Sequence, residues 1–156
     1  MDTGLPLRTS YLMTIAVQAP IPTTLGSFPL GERRFIAFTG GEFRGPDGSD
    51  LQGTLAQGGV DWQTVRADGA VEIRAHYLLV TDRQEHIEVQ SDGIRIFPPE
   101  VAALVAAGSP VDPASYYFRT HIRLFTESTR LAHLNSRIAI STGERQADRV
   151  HIHVHQ

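Results

Sequence analysis

Hydrophobic and polar residues alternate with a period of two along most of this chain. In "AVEIRAHYLLV", Val71, Ile73, Ala75, Tyr77 and Leu79 share one side while Glu72, Arg74 and His76 share the other. That is the pattern of a half-buried strand. The segments "RRFIAFTGGEF", "HIEVQ", "YYFRTHIRLF" and "RVHIHVH" read the same way, and "YLMTIAVQAP" reads as a first strand. Turn signals separate them: "GPDGSD", "ADGA", "SDG" and "STGER". Roughly nine or ten short strands at regular spacing predict an all-β domain, a barrel or a sandwich. One stretch departs from the pattern. "PPEVAALVAAG" places Pro98 and Pro99 at the start, Val101, Leu104 and Val105 on one stripe, and Gly108 as a stop. It predicts one short α-helix over 99–107 that plugs a barrel end or covers a sheet edge.

Composition narrows the chemistry. The chain has 156 residues, the size of one domain, so a single domain is expected over 1–156. It has no Cys, which excludes disulfides and thiolate chemistry. All 14 basic residues are Arg, which excludes Schiff-base and phosphate-loop lysines. A net charge of -3 without any basic run gives no electrostatic reason to expect nucleic acid or an anionic membrane. No stretch approaches the ~20 apolar residues of a membrane helix, and a cytoplasmic protein is expected. The nucleophile-elbow, zinc-protease, dinucleotide and phosphate-loop motifs are all missing. Proton transfer without a bound cofactor is the enzyme class left most open.

Two segments could carry such chemistry. "YYFRTHIRLF" shows Tyr116, Phe118, Thr120, Ile122 and Leu124 on one face and Tyr117, Arg119, His121 and Arg123 on the other. Strand statistics make the first face core and the second solvated. A polar barrel interior would reverse them and aim Tyr117 and Arg119 into a ligand cavity, where a guanidinium offers a fixed fork to a carboxylate, enolate or phosphate. Periodicity alone leaves both orientations open. In "GGVDWQ", Gly58 and Gly59 permit a tight bend, and Asp61 and Trp62 point to opposite faces. Asp61 could be a general base if desolvated, or a residue that accepts local backbone amides. Trp62 could anchor a core or an interface.

The ordered set "TGGEF", "GGVDWQ", "HYLLVTD", "GIRIFPPEV", "DPASYYFRT" and "LNSRIAISTGER" resembles a bacterial and fungal domain-of-unknown-function family, number three-two-three-seven, also catalogued as an uncharacterised protein family. The match runs from about Leu7 to the C-terminus. It implies an antiparallel β-barrel of about ten strands, often dimeric, with no general activity attached. Asp61, Trp62, Gln63, Tyr77, Arg95, Tyr117, Arg119 and Asn135 stand at matching positions. His133 replaces the usual aromatic before "LN", which would change a pocket wall. In the last strand, histidines stand where the family more often has acidic residues and Tyr.

Those histidines, His151, His153 and His155, lie on one side of the terminal strand. The outer pair would be about 13 Å apart, too far for all three to hold one ion. A wet histidine face is expected, with no metal site and no cofactor. The expected ligand is a small molecule. Asp61, Tyr77, Arg95, Tyr117 and Arg119 are expected to converge on one cavity, with Asp61, Tyr77, Tyr117 and Arg119 as the catalytic set. Trp62, Arg95, His121, His133 and Asn135 would contact substrate. The reading is a cofactor-independent isomerase or lyase/hydratase acting on a small oxygenated metabolite, aromatic ones included; the alternative is a non-catalytic small-molecule-binding barrel. A homodimer is expected, and truncation after Arg149 is expected to cost stability while leaving ligand binding and any activity largely intact.

Overall fold

A computed structural model describes residues 4–156; the first three residues of the expected domain lie outside it. Its strands are β1 (Tyr11–Gln18), β2 (Thr23–Phe28), β3 (Gly31–Ala37), β4 (Gly40–Arg44), β5 (Gln52–Leu55), β6 (Val60–Val65), β7 (Val71–Thr81), β8 (His86–Ile96), β9 (Tyr117–Thr126), β10 (Ile138–Arg145) and β11 (Arg149–His155). Every pairing is antiparallel. Eight strands close on themselves in the order β7-β5-β4-β1-β11-β10-β9-β8, because β8 pairs back onto β7. Closure leaves those strands no free edge.

The remaining strands form an arm, β2-β3-β6, attached to the same edge of β7 that carries β5. β7 is long enough to serve both. Its first half, Val71 to His76, pairs with β6, and Leu79 to Thr81 pairs with β5. The segment "RRFIAFTGGEF", read as one strand, is therefore two. β3 pairs with β6 in the arm, and β4 pairs with β1 in the barrel. Gly41 makes the change of partner possible: its φ is 150°, and a Cβ there would lie 2.2 Å from the carbonyl oxygen of Ala16. "STGER", read as a turn, instead belongs to β10, which runs on to Arg145.

The core fills the barrel as the alternation requires. Val71, Ile73, Ala75, Tyr77 and Leu79 of β7 are buried, as are Phe118, Thr120, Ile122 and Leu124 of β9. Ile15, Leu79, Ile87, Val89 and Ile122 are wholly excluded from solvent, each contributing about 1.5–3 kcal/mol by burial. The single α-helix among the described residues, α1 (Pro99–Ala106), begins with the predicted prolines and buries Val101, while Leu104 stays exposed. β11 lies between β1 and β10 rather than at an edge. Its histidines are consequently half-buried, with His153 Nδ1 2.9 Å from Thr14 Oγ1 and its Nε2 3.5 Å from a Glu144 oxygen. No three His, Cys, Asp or Glu side chains among the described residues are placed to share a metal ion. No helix among them is long and apolar enough to cross a membrane.

Candidate functional site

At the end of the barrel where the arm joins, β3, β6 and the first half of β7 enclose a cavity of about 40 Å³ against β1, β8, β9, β10 and β11. Most of its wall is apolar: Val17, Ile36, Phe38, Ile73, Phe118, Val150 and Ile152. Into this wall project Asp61 and Gln63 from β6, Tyr77 from β7, Ser91 and Arg95 from β8, Thr120 from β9 and Arg145 from β10. Strand alternation explains each placement. Asp61 and Gln63 are two residues apart, both inward and both buried, while Trp62 between them faces out.

Asp61 is only 6% exposed. One carboxylate oxygen accepts a 2.6 Å hydrogen bond from Gln63 Nε2 and the other accepts the Arg74 backbone N–H at 3.2 Å. Loss of water pushes its pKa up from the ordinary carboxylate value; the bonds from Gln63 and Arg74 and the charge of Arg95 only partly offset this. A carboxylate has about four acceptor sites, so Asp61 keeps capacity for a further partner. Tyr77 is buried with its ring edge-on to Phe38, centroids 5.4 Å apart. Burial, and to a lesser degree the Asp61 charge, raise its pKa, so the phenol remains a proton donor. No described residue hydrogen-bonds its hydroxyl. Behind them Ser91 donates to Thr120 at 3.0 Å, and Thr120 lies 2.6 Å from Ser141, a buried hydroxyl chain crossing three strands.

Arg95 lies between aromatic rings, its guanidinium carbon 4.8 Å from the Phe97 centroid and 5.9 Å from that of Phe118. Phe118 reaches this position because position 143 is glycine: a Cβ there would sit 2.3 Å from the ring. Arg95 Nε is buried and has no hydrogen-bond partner, and no carboxylate of the described residues lies within ion-pair distance of the guanidinium. Burial lowers its pKa to about 10, assisted by repulsion from Arg145 and opposed by attraction to Asp61. Arg145, whose backbone N–H donates to the Tyr116 hydroxyl at 2.8 Å, is likewise desolvated and has no ion pair among the described residues.

The convergence expected from sequence is realised for Asp61, Tyr77 and Arg95 and fails for Tyr117 and Arg119. Those two lie on the outer face of β9, since Phe118 and Thr120 take the inward positions. Arg119 covers the Tyr117 ring at 5.3 Å and donates to the Phe118 carbonyl at 2.9 Å. His121, on the same outer face, lies 3.8 Å from Asp92. Trp62 packs outside against Phe35, with Arg33 over its ring. His133 is exposed, and Asn135 bonds both backbone groups of Thr126 at the far end of β9, pinning a 3₁₀ turn, Ala132–Ser136, away from the cavity. Val150 and Ile152 line the cavity, so the last strand forms part of the pocket wall. Gln63 stood out in the sequence only as a family-matching position, with no place in the site, although its position two residues after Asp61 puts it on the same face. Arg145 carried no signal once its segment was read as a turn.

The family described as Protein of unknown function (DUF3237) matches residues 6–156. The chain belongs to this family. A UPF0311 protein of Rhodopseudomonas palustris strain TIE-1 is 35% identical over 150 residues, covering 96% of each chain. Among solved structures, a conserved protein of unknown function from Rhodopseudomonas palustris superposes with a TM-score of 0.89 at 34% identity, over 99% of both chains. A structure described as an enzyme from Penicillium herquei has a TM-score of 0.70 at 18% identity, over 99% of this chain and 98% of that one. That last likeness is one of fold. The DUF3237 barrel is thus common to proteins of unstated activity, and the reading of this chain rests on its own cavity.

Proposed function

We propose that this DUF3237 protein binds a small oxygenated molecule at the arm end of the barrel and moves a proton on it without a cofactor, as an isomerase or a lyase/hydratase. One observation carries the reading: a desolvated carboxyl, Asp61, shares an apolar cavity with an unpaired guanidinium, Arg95. A raised carboxyl pKa suits general base and general acid work near neutrality. Arg95 would stabilise the oxyanion that develops when a proton leaves a carbon next to a carbonyl. Tyr77, protonated and with its hydroxyl not hydrogen-bonded by any described residue, would donate to the same oxygen or to a leaving hydroxyl. The active unit is taken to be a homodimer in the cytoplasm.

The test is deuterium incorporation. Protein purified from its own host would be screened for a co-purifying small molecule, which is returned to the protein in D₂O and followed by NMR. The wild type should introduce deuterium at a carbon next to the oxygenated group, and Asp61→Asn should slow this by about 10²–10⁴-fold while still binding. A bound molecule that gains no deuterium favours the second reading, a binding barrel without catalysis. One observation supports that alternative: Asp61 already accepts Gln63 and the Arg74 amide, as a purely structural aspartate would.

A further inference from the structure

Arg145 faces two spaces at once. It lines the inner cavity of about 40 Å³ and also a groove of about 500 Å³ outside it, between the last turn of α1 with the segment that follows it (105–111) and the end of β10 with the residues just after it (144–147). The inner space has room for roughly three water-sized groups, enough for the head of a molecule and too little for its body. The groove has the volume of an ordinary small-molecule site, with Val105, Pro110 and Val111 on one side and Glu144 and Gln146 on the other.

Charge decides what the head must be. With Asp61 ionised, the ionisable groups lining the cavity sum to one positive charge; with Asp61 protonated they sum to two, from Arg95 and Arg145. Among the described residues neither guanidinium is neutralised by an ion pair, and the bonds Asp61 accepts come from Gln63 and the Arg74 amide rather than from Arg95. A buried charged donor without a partner is costly, and Phe97 and Phe118 hold Arg95 where that cost is incurred. Planar guanidinium groups match planar, two-oxygen anions.

We propose that the cavity and groove form one site for an organic acid, whose carboxylate or carboxylate-like enolate enters the cavity against Arg95 while its body lies in the groove beyond Arg145. This deepens the functional reading above and rests on its choice of cavity. It adds a substrate class: acids in preference to their neutral analogues.

The experiment uses matched pairs, each a carboxylic acid and its primary amide (acetate, benzoate, phenylacetate and 3-phenylpropionate with the corresponding amides), followed by ligand-observed NMR and calorimetry at pH 7. At least one aromatic acid should bind the wild type ten-fold or more tightly than its amide. Arg95→Met should abolish that preference, Arg95→Lys should restore part of it, and Arg145→Gln should weaken acids three-fold or more without changing amide binding. Acids and amides binding equally to the wild type would overturn the proposal while leaving the cavity as a ligand site. No member of any pair binding would overturn the proposal and the choice of cavity together. Preference for acids without deuterium exchange on the host ligand would sustain the anion site and remove the catalytic reading. The wild-type comparison stands whether or not a variant folds.

Discussion

At the scale of single residues, Asp61 sits between two roles that pull its energetics in opposite directions. Its hydrogen bonds favour the carboxylate, and its burial opposes it more strongly. A carboxyl whose folded pKa lies above its unfolded value stabilises the fold fully below the unfolded value, 3.8, and loses that contribution as pH rises through the folded one. At neutral pH the ionised side chain is therefore a cost of the fold. Asp61→Asn removes the charge, keeps an oxygen for the Arg74 amide, and lets a flipped Gln63 present its now unpartnered Oε1 to the new amide. The variant should melt at or a few degrees above wild type at pH 7, with the difference shrinking to nothing below about pH 3.8. Melting curves from pH 3 to 8 check this; a variant less stable at pH 7 by several degrees would make Asp61 a structural aspartate. The sequence made Asp61 and Tyr77 legible because each follows from alternation next to a bend or a long strand. It could not orient β9, because period two is unchanged when a strand is turned over. Only closure of the barrel fixes Phe118 inward and Arg119 outward.

At the scale of elements, the two ends of the barrel are built for different purposes. The far end is locked where the cavity end is left unpaired. Arg130 grips Glu85 with two bonds, of 2.6 and 3.1 Å, while Ser128 and Thr81 donate to the same carboxylate at 2.6 and 2.9 Å. This ties the β7–β8 turn to the loop after β9. The Arg130 contact, then Ser128, hold the Glu85 carboxyl down at about 2. A depressed carboxyl contributes stability that is present above its unfolded value, 4.5, and lost as pH falls toward about 2. Glu85→Gln should accordingly lower the melting temperature at pH 6 and flatten its fall between pH 4.5 and 2, while leaving ligand affinity at the opposite end within two-fold. An unchanged acid limb would mean that the carboxylate is equally well paired in the unfolded chain. Alternation marked β1, β7, β8, β9 and β11 and, as one run, β3 with β4; it left β2, β5, β6 and β10 unmarked, while the prolines and Gly108 marked the helix. The arm was invisible, because a strand that serves two neighbours along one edge, as β7 does, has the same residue pattern as one that serves a single neighbour.

At the scale of the whole molecule, the arm is the feature a closed barrel does not need. Every residue of β2 is exposed or at most half-buried, so both of its faces are open, and it pairs with β3 alone. Leu25 and Phe28 on β2, Leu30 in the turn after it and Trp62 on β6 are exposed by 47%, 51%, 85% and 42%. Exposed apolar side chains grouped on one sheet are what an associating face would use. The bulge at Gly26, where the β2–β3 register slips, twists the free edge away from continuous strand pairing. Association would then use the faces of the arm, closing by a two-fold in which the same patch meets itself. We expect a dimer in sedimentation velocity at micromolar concentration. Phe28→Glu with Leu30→Glu should dissociate it by 100-fold or more, leaving monomer stability within about 0.5 kcal/mol because both positions are exposed. Ile138→Glu on the outer face of β10, 68% exposed, serves as the control and should remain dimeric. A wild-type monomer would remove the dimer altogether. Dissociation by Ile138→Glu alone would move the interface to the outer face of β9 and β10, where Tyr117 and Arg119 lie, and would give those two residues a role between subunits instead of within the cavity.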